Sequence, residues 1–151
     1  HAVNVTEVAQ EMHDKKLSFS GAAKAEIRVF ISALSEILNN AVDAFLNEDL
    51  EEARLVEPLE EVIDAIQADI RARHVLRLQE GSCTIELGFV LSDLLTNLER
   101  VSDHCSNIAG CLLDMKNERI DLHKYLGDVK SGSNEFLLQY NAFEEKYKLE
   151  A

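Results

Sequence analysis

The chain has 151 residues, 46% of them hydrophobic, which is enough for one domain with a real core. Its 28 acidic against 15 basic residues give a net charge of −13, which repels phosphate backbones and anionic headgroups and argues against nucleic acid and membrane-surface partners. Six glycines, one proline and an aromatic share of 6% leave a Leu, Ile, Val and Ala palette that suits helices better than a β-sandwich. No run approaches about 18 uninterrupted apolar residues, so no direct membrane insertion is expected, and no signal peptide is visible. The chain opens on His1 without a start Met and reads as part of a longer protein. Cys83, Cys105 and Cys111 form neither a disulfide framework nor a zinc pattern. Cys105 and Cys111 fall in an apolar helical run and are expected as buried thiols of a reducing compartment.

Three long helical patterns follow in chain order. The first runs from about Gly21 to Leu46, with Ser20 as N-cap. Ile27, Ile31, Leu34, Leu38, Ala41 and Phe45 recur at alternating steps of four and three and predict its buried stripe. Asn47-Glu48-Asp49 is a short turn, and Asp49 with Glu52 reads as a capping box opening the second helix. Leu55, Leu59, Val62 and Ile66 continue the stripe, and Gly81 stands where a C′ residue ends it. Pro58 lies inside that pattern and implies either a kink or a later helix start. Ser82 or Thr84 caps the third helix, whose stripe is Leu87, Leu91, Leu94, Leu98, Val101, Cys105, Ile108 and Leu112. Two short links force antiparallel neighbours, so the fold class expected is all-α, an antiparallel three-helix bundle over residues 19–117. Beyond it, residues 118–151 form an extension: a short helix over Arg119 to Leu126, a loop from Gly127 to Ser133, and a last helix with Phe136, Tyr140, Phe143 and Tyr147 on one side. That last helix must dock on a partner or on the bundle, and the bundle is the simpler host.

One acidic motif occurs twice. Leu59-Glu60-Glu61-Val62-Ile63-Asp64 and Leu98-Glu99-Arg100-Val101-Ser102-Asp103 both spell L-E-x-V-x-D. Residues four apart share a helix face, so Glu60 with Asp64 and Glu99 with Asp103 each form a carboxylate pair beside the core stripe. If the two helices are neighbours at suitable heights, four carboxylates converge at the half-open bundle surface. Such a set suits iron or another hard divalent or trivalent cation, while zinc and copper prefer His or Cys. The plain alternative is a solvated acidic face. No Glu-x-x-His occurs, which argues against a ferritin-like di-iron site. Arg100 reads as a partner of a neighbouring acid, and His74 and His104 as ordinary, partly exposed histidines. No nucleophile–base set or phosphate loop stands out, so no enzyme activity is expected.

Asn97-Leu98-Glu99-Arg100-Val101-Ser102-Asp103-His104-Cys105-Ser106-Asn107-Ile108-Ala109 closely resembles the signature of PhoU-domain proteins, and Val56-Glu57-Pro58-Leu59-Glu60-Glu61-Val62-Ile63-Asp64 is similar to the motif of their second helix. Arg73-His74 and Cys83-Thr84-Ile85-Glu86-Leu87-Gly88-Phe89 look like the version fused to sodium/phosphate cotransporters. The resemblance spans roughly Phe19 to Met115. It implies three-helix-bundle repeats whose acidic motifs hold metal ions, iron among them, at Glu60, Asp64, Glu99 and Asp103. It implies regulation of phosphate uptake, with a transporter membrane domain as partner and a place on the cytoplasmic side of the bacterial inner membrane. His1-Ala2-Val3-Asn4 also matches His104-Cys105-Ser106-Asn107 at an offset of 103. Residues 1–16 therefore read as the end of a preceding repeat. Two other classes remain: a pure interaction module that forms a homodimer or binds another protein, and a small metalloenzyme, against which the outward-facing pairs argue.

Overall fold

The computed structural model describes residues 1–116 and 134–150. Within them five helices follow in order: α1 (Ala2–Asp14), α2 (Gly21–Asn47), α3 (Leu50–Gln79), α4 (Ile85–Lys116) and α5 (Asn134–Lys146). The expected short helix over Arg119 to Leu126 and the loop to Ser133 lie outside the described residues.

The helix ends are where local chemistry puts them. Ser20 accepts a bond from the Ala23 amide at 3.2 Å and starts α2. Asp49 accepts from the amides of Glu51 and Glu52 at 3.0 and 3.2 Å and starts α3. The reciprocal half of the capping box is missing, because the Asp49 amide already donates to the Ala44 carbonyl. α3 begins ahead of Pro58 and runs through it, so the later start is ruled out; the ring is buried among core residues. Gly81, at φ +70°, ends α3 in a Schellman turn: its amide donates to Leu78 and that of Ser82 to Arg77. Thr84 rather than Ser82 caps α4, accepting from the Leu87 amide at 3.2 Å.

Two tight reversals leave α2, α3 and α4 mutually packed as an antiparallel bundle. The core is Phe30, Ile37 and Ala44 from α2, Val56, Leu59, Ile63 and Ile70 from α3, and Leu91, Leu95 and Cys105 from α4. The expected stripes hold in part: Ile27, Leu34 and Ala41 of α2 and Leu91, Cys105 and Leu112 of α4 are buried, but the centre of each face lies to one side of the stripe. In α2, Phe30, Ile37 and Ala44 are buried, whereas Ile31 and Leu38 are each 46% exposed and Phe45 is 57% exposed. In α4 the centre of the face is Leu95, Ser102 and Ala109, and Ile108 is exposed. Cys111 is exposed too, contrary to its expected burial, because it falls on the far side of α4 from Cys105.

α5 docks on α3, with Phe143, and Tyr147 just beyond the helix end, joining the core. Its end is tied to α2, where Glu36 accepts from Lys146 Nζ at 2.6 Å and from the Tyr147 hydroxyl. α1 lies along α4: Asn4 donates to Asn97 at 2.7 Å near one end, and Lys15 pairs with Glu86 at 2.9 Å near the other. The two helices are antiparallel, and the His1 and His104 rings, equivalent at the offset of 103, meet 5.5 Å apart. Contact between equivalent positions is what a local two-fold axis produces. By length and composition α2 is also apolar enough to cross a bilayer, a test that bundle helices pass as well.

Candidate metal centre

Polar side chains run along the outer seam between α3 and α4. Ser106 donates to the buried Glu57 carboxylate at one end. Gln67 donates to Glu99 Oε2 at 2.6 Å in the middle. Arg71 donates to Ser92 and Thr96 at 2.9 and 2.8 Å at the other end. These bonds fix an antiparallel register, and between them Glu60 falls across from Asp103 and Asp64 across from Glu99. All four carboxylates are half-buried, flanking the core as the stripe geometry requires. Ser102, wholly buried beside them, donates to the Glu99 carbonyl at 2.6 Å and so leaves no stray hydroxyl in the core.

The closest carboxylates are Glu57, Glu60 and Glu61, each with an oxygen within 4.8 Å of the others. Of the four expected ligands only Glu60 belongs to that group; Asp64, Glu99 and Asp103 join no such cluster among the described residues. Glu57 was visible in the sequence as the residue three before Glu60, one turn away on the same side of α3. The donor set is all carboxylate oxygen with hydroxyls and an amide close by. That fits hard cations of the magnesium, manganese, calcium or ferric type and fits zinc or copper poorly. Neither Cys105 nor His104 joins it, the first being buried in the core and the second exposed.

At the opposite end of the seam the charge changes sign. Arg77 grips the buried Glu26 of α2 with two bonds of 2.8 Å, and Arg73 lies 3.8 Å from the same carboxylate. His74 is buried, not partly exposed as expected. Room for it comes from Gly88, where a Cβ would sit 2.8 Å from His74 Nε2. Its neighbour Cys83 has Sγ 3.5 Å from Nδ1. Burial first, then the charge of Arg77, holds the imidazole below its ordinary range, with Glu26 pulling the other way. The fold thus keeps the neutral ring, while the unfolded chain takes up a proton at about pH 6.5. The contribution of His74 is whole above that pH and is lost as pH falls through it toward the folded value. Melting temperatures measured between about pH 5 and 8 will fall on the acid side, and His74→Gln will flatten that part of the slope. An unchanged slope would remove His74 as the cause.

Fold and seam together define a class: an antiparallel helical bundle carrying two carboxylate pairs in register across neighbouring helices. The PhoU domain family matches residues 28–112, more than half of the chain, and the chain belongs to that family. It is similar to the phosphate-specific transport system accessory protein PhoU homolog 1 of Thermotoga maritima, with 27% identity over 130 residues. That alignment takes in 86% of this chain and 55% of the relative, so the chain spans about half the length of that curated protein. No solved structure matches the chain.

Proposed function

We propose that this chain is a regulatory PhoU-type domain of a sodium-dependent phosphate transporter, controlling phosphate uptake from the cytoplasmic side of the bacterial inner membrane. Its partner is the transporter membrane domain of the full-length protein. The observation that supports the reading is family membership, joined to a polar α3–α4 seam in which Gln67 donates to Glu99 and Ser106 to Glu57. The name of the Thermotoga relative, an accessory protein of phosphate transport, agrees with a regulatory and not a catalytic task. The sodium/phosphate cotransporter context rests on the resemblance of Arg73-His74 and of the segment from Cys83 to Phe89 to the fused forms.

In this reading a hard cation, iron among the candidates, draws the carboxylates of the seam together and ties α3 to α4. Gln67 orients Glu99, and Ser106 orients Glu57. The test is elemental analysis of the purified chain after loading with ferric iron or manganese and desalting. A variant carrying Glu60→Ala, Asp64→Ala, Glu99→Ala and Asp103→Ala is the control. Metal in the parent and none in the variant supports the site. Metal retained in the variant but lost on Glu57→Ala with Glu61→Ala moves the site to the α3 cluster. Metal in neither leaves an interaction module with a solvated acidic face. Phosphate uptake by the full-length transporter carrying the same four changes tests the regulatory part, and unchanged uptake overturns it.

A further inference from the structure

The three cysteines of the chain stand in three settings. Cys105 is buried in the core, where desolvation pushes its thiol up and leaves it inert. Cys111 is exposed on the far side of α4. Cys83, in the turn between α3 and α4, is half-buried and paired with His74, a ring only 6% exposed. Its Sγ lies 3.5 Å from Nδ1 and 3.7 Å from Nε2 of that ring. A neutral imidazole has one bare nitrogen, and whichever it is stands within reach of the thiol proton.

Cys83, His74 and Arg77 line one cavity of about 210 Å³, made polar by Ser18, Ser20 and Ser82. Ser82 is exposed, so the cavity reaches solvent. Arg77 uses both terminal nitrogens on Glu26, and its Nε is buried without a partner. An orphaned buried donor is a place for an acceptor that the chain itself does not supply. A thiol, a base and a buried donor around a small polar cavity are the parts of a reactive cysteine.

We infer that Cys83 is a site of reversible oxidation by hydrogen peroxide, with His74 as the base that takes the thiol proton and Arg77 as donor to the leaving oxygen. The size of the cavity favours the smallest oxidants, and its hydroxyls and Arg77 favour one that accepts hydrogen bonds. The sulfur attacks one peroxide oxygen; the S–O bond forms, the O–O bond breaks, and the sulfur gives up two electrons. The departing hydroxide collects the proton from His74 and leaves as water, so thiol and peroxide become sulfenic acid and water. A low-molecular-weight thiol then condenses with the sulfenic acid, releasing a second water, and another displaces the mixed disulfide to restore Cys83. The site lies at the end of the bundle away from Glu57 and stands whether or not the seam holds metal.

The experiment exposes the folded chain to graded hydrogen peroxide with dimedone present, and peptide mass spectrometry reads the sulfenic acid trapped at each cysteine. Cys83 is expected to be labelled at least about tenfold faster than the more exposed Cys111, the margin that a positioned base supplies. In concentrated urea the two rates are expected to converge. His74→Phe fills the same space without a base and is expected to bring Cys83 down to the rate of Cys111, with circular dichroism checking the fold. Labelling of Cys111 or Cys105 as fast as Cys83 overturns the proposal, and so does a margin that persists in urea. A folded His74→Phe that leaves Cys83 as fast as before overturns it too. If that variant does not fold, the margin in the parent and its loss in urea still decide.

Discussion

Replacing Glu26 by Ala is expected to lower the stability of the bundle by roughly 3–5 kcal/mol, the penalty for stranding a charge whose buried partner is removed. Glu26 and Arg77 have side chains only 7% and 15% exposed, and their two bonds of 2.8 Å match the fork of the guanidinium to both carboxylate oxygens. Without Glu26, Arg77 stays charged in a largely buried site, with Arg73 close by. The pair itself adds much less than that figure, because both ions were desolvated to form it. Glu26→Leu combined with Arg77→Met will therefore lie well above Glu26→Ala in stability. Urea denaturation of the two singles and the double closes the cycle. A loss below about 1 kcal/mol for Glu26→Ala would place the pair among ordinary surface bridges.

Phe30→Ala is expected to cost about 3–5 kcal/mol, the range for emptying an aromatic from a close-packed core. Phe30 is fully buried against α3 and α4, so its loss leaves a cavity and not a wetter surface. Ile31→Ala, one residue along and half-exposed, will cost less than about 1 kcal/mol in the folded monomer. A thermal or chemical melt of the two variants decides it. Equal losses, or a larger one at Ile31, would mean that α2 is rotated by about one residue from the arrangement described.

The rotation marks where sequence stops deciding. α2 offers one apolar series at Phe30, Ile37 and Ala44 and another at Ile31, Leu38 and Phe45, both of period seven. Periodicity announces the helix without saying which side meets α3 and α4; only the packing partners choose. The caps were legible because they are local: Ser20, Asp49, Gly81 and Thr84 bond within a turn of themselves. The Glu26–Arg77 pair, set 51 positions apart, has no local signature. The candidate centre falls between these cases. The motif repeat gave Glu60, Asp64, Glu99 and Asp103 their faces, but their heights depend on the α3–α4 register, which Gln67 and Ser106 reveal. Glu57 shares a face with Glu60 only because α3 runs through Pro58, where the sequence left a kink or a later start open.

The brevity of the two reversals also sets how the chain finds its fold. Glu48 and Asp49 alone separate α2 from α3, and residues 80–84 separate α3 from α4. Helices joined so closely meet at small loop-closure cost, and topologies built from such local contacts fold in microseconds to milliseconds. The α2–α3 hairpin is then the natural nucleus, α4 the second addition, and α5 a late arrival whose landing site on α3 must already exist. Before α5 lands, the α3 surface against which it docks is bare. A chain emerging from the ribosome in this order has α2, α3 and α4 available to pack before Phe143 and Tyr147, which finish the core, have been synthesised.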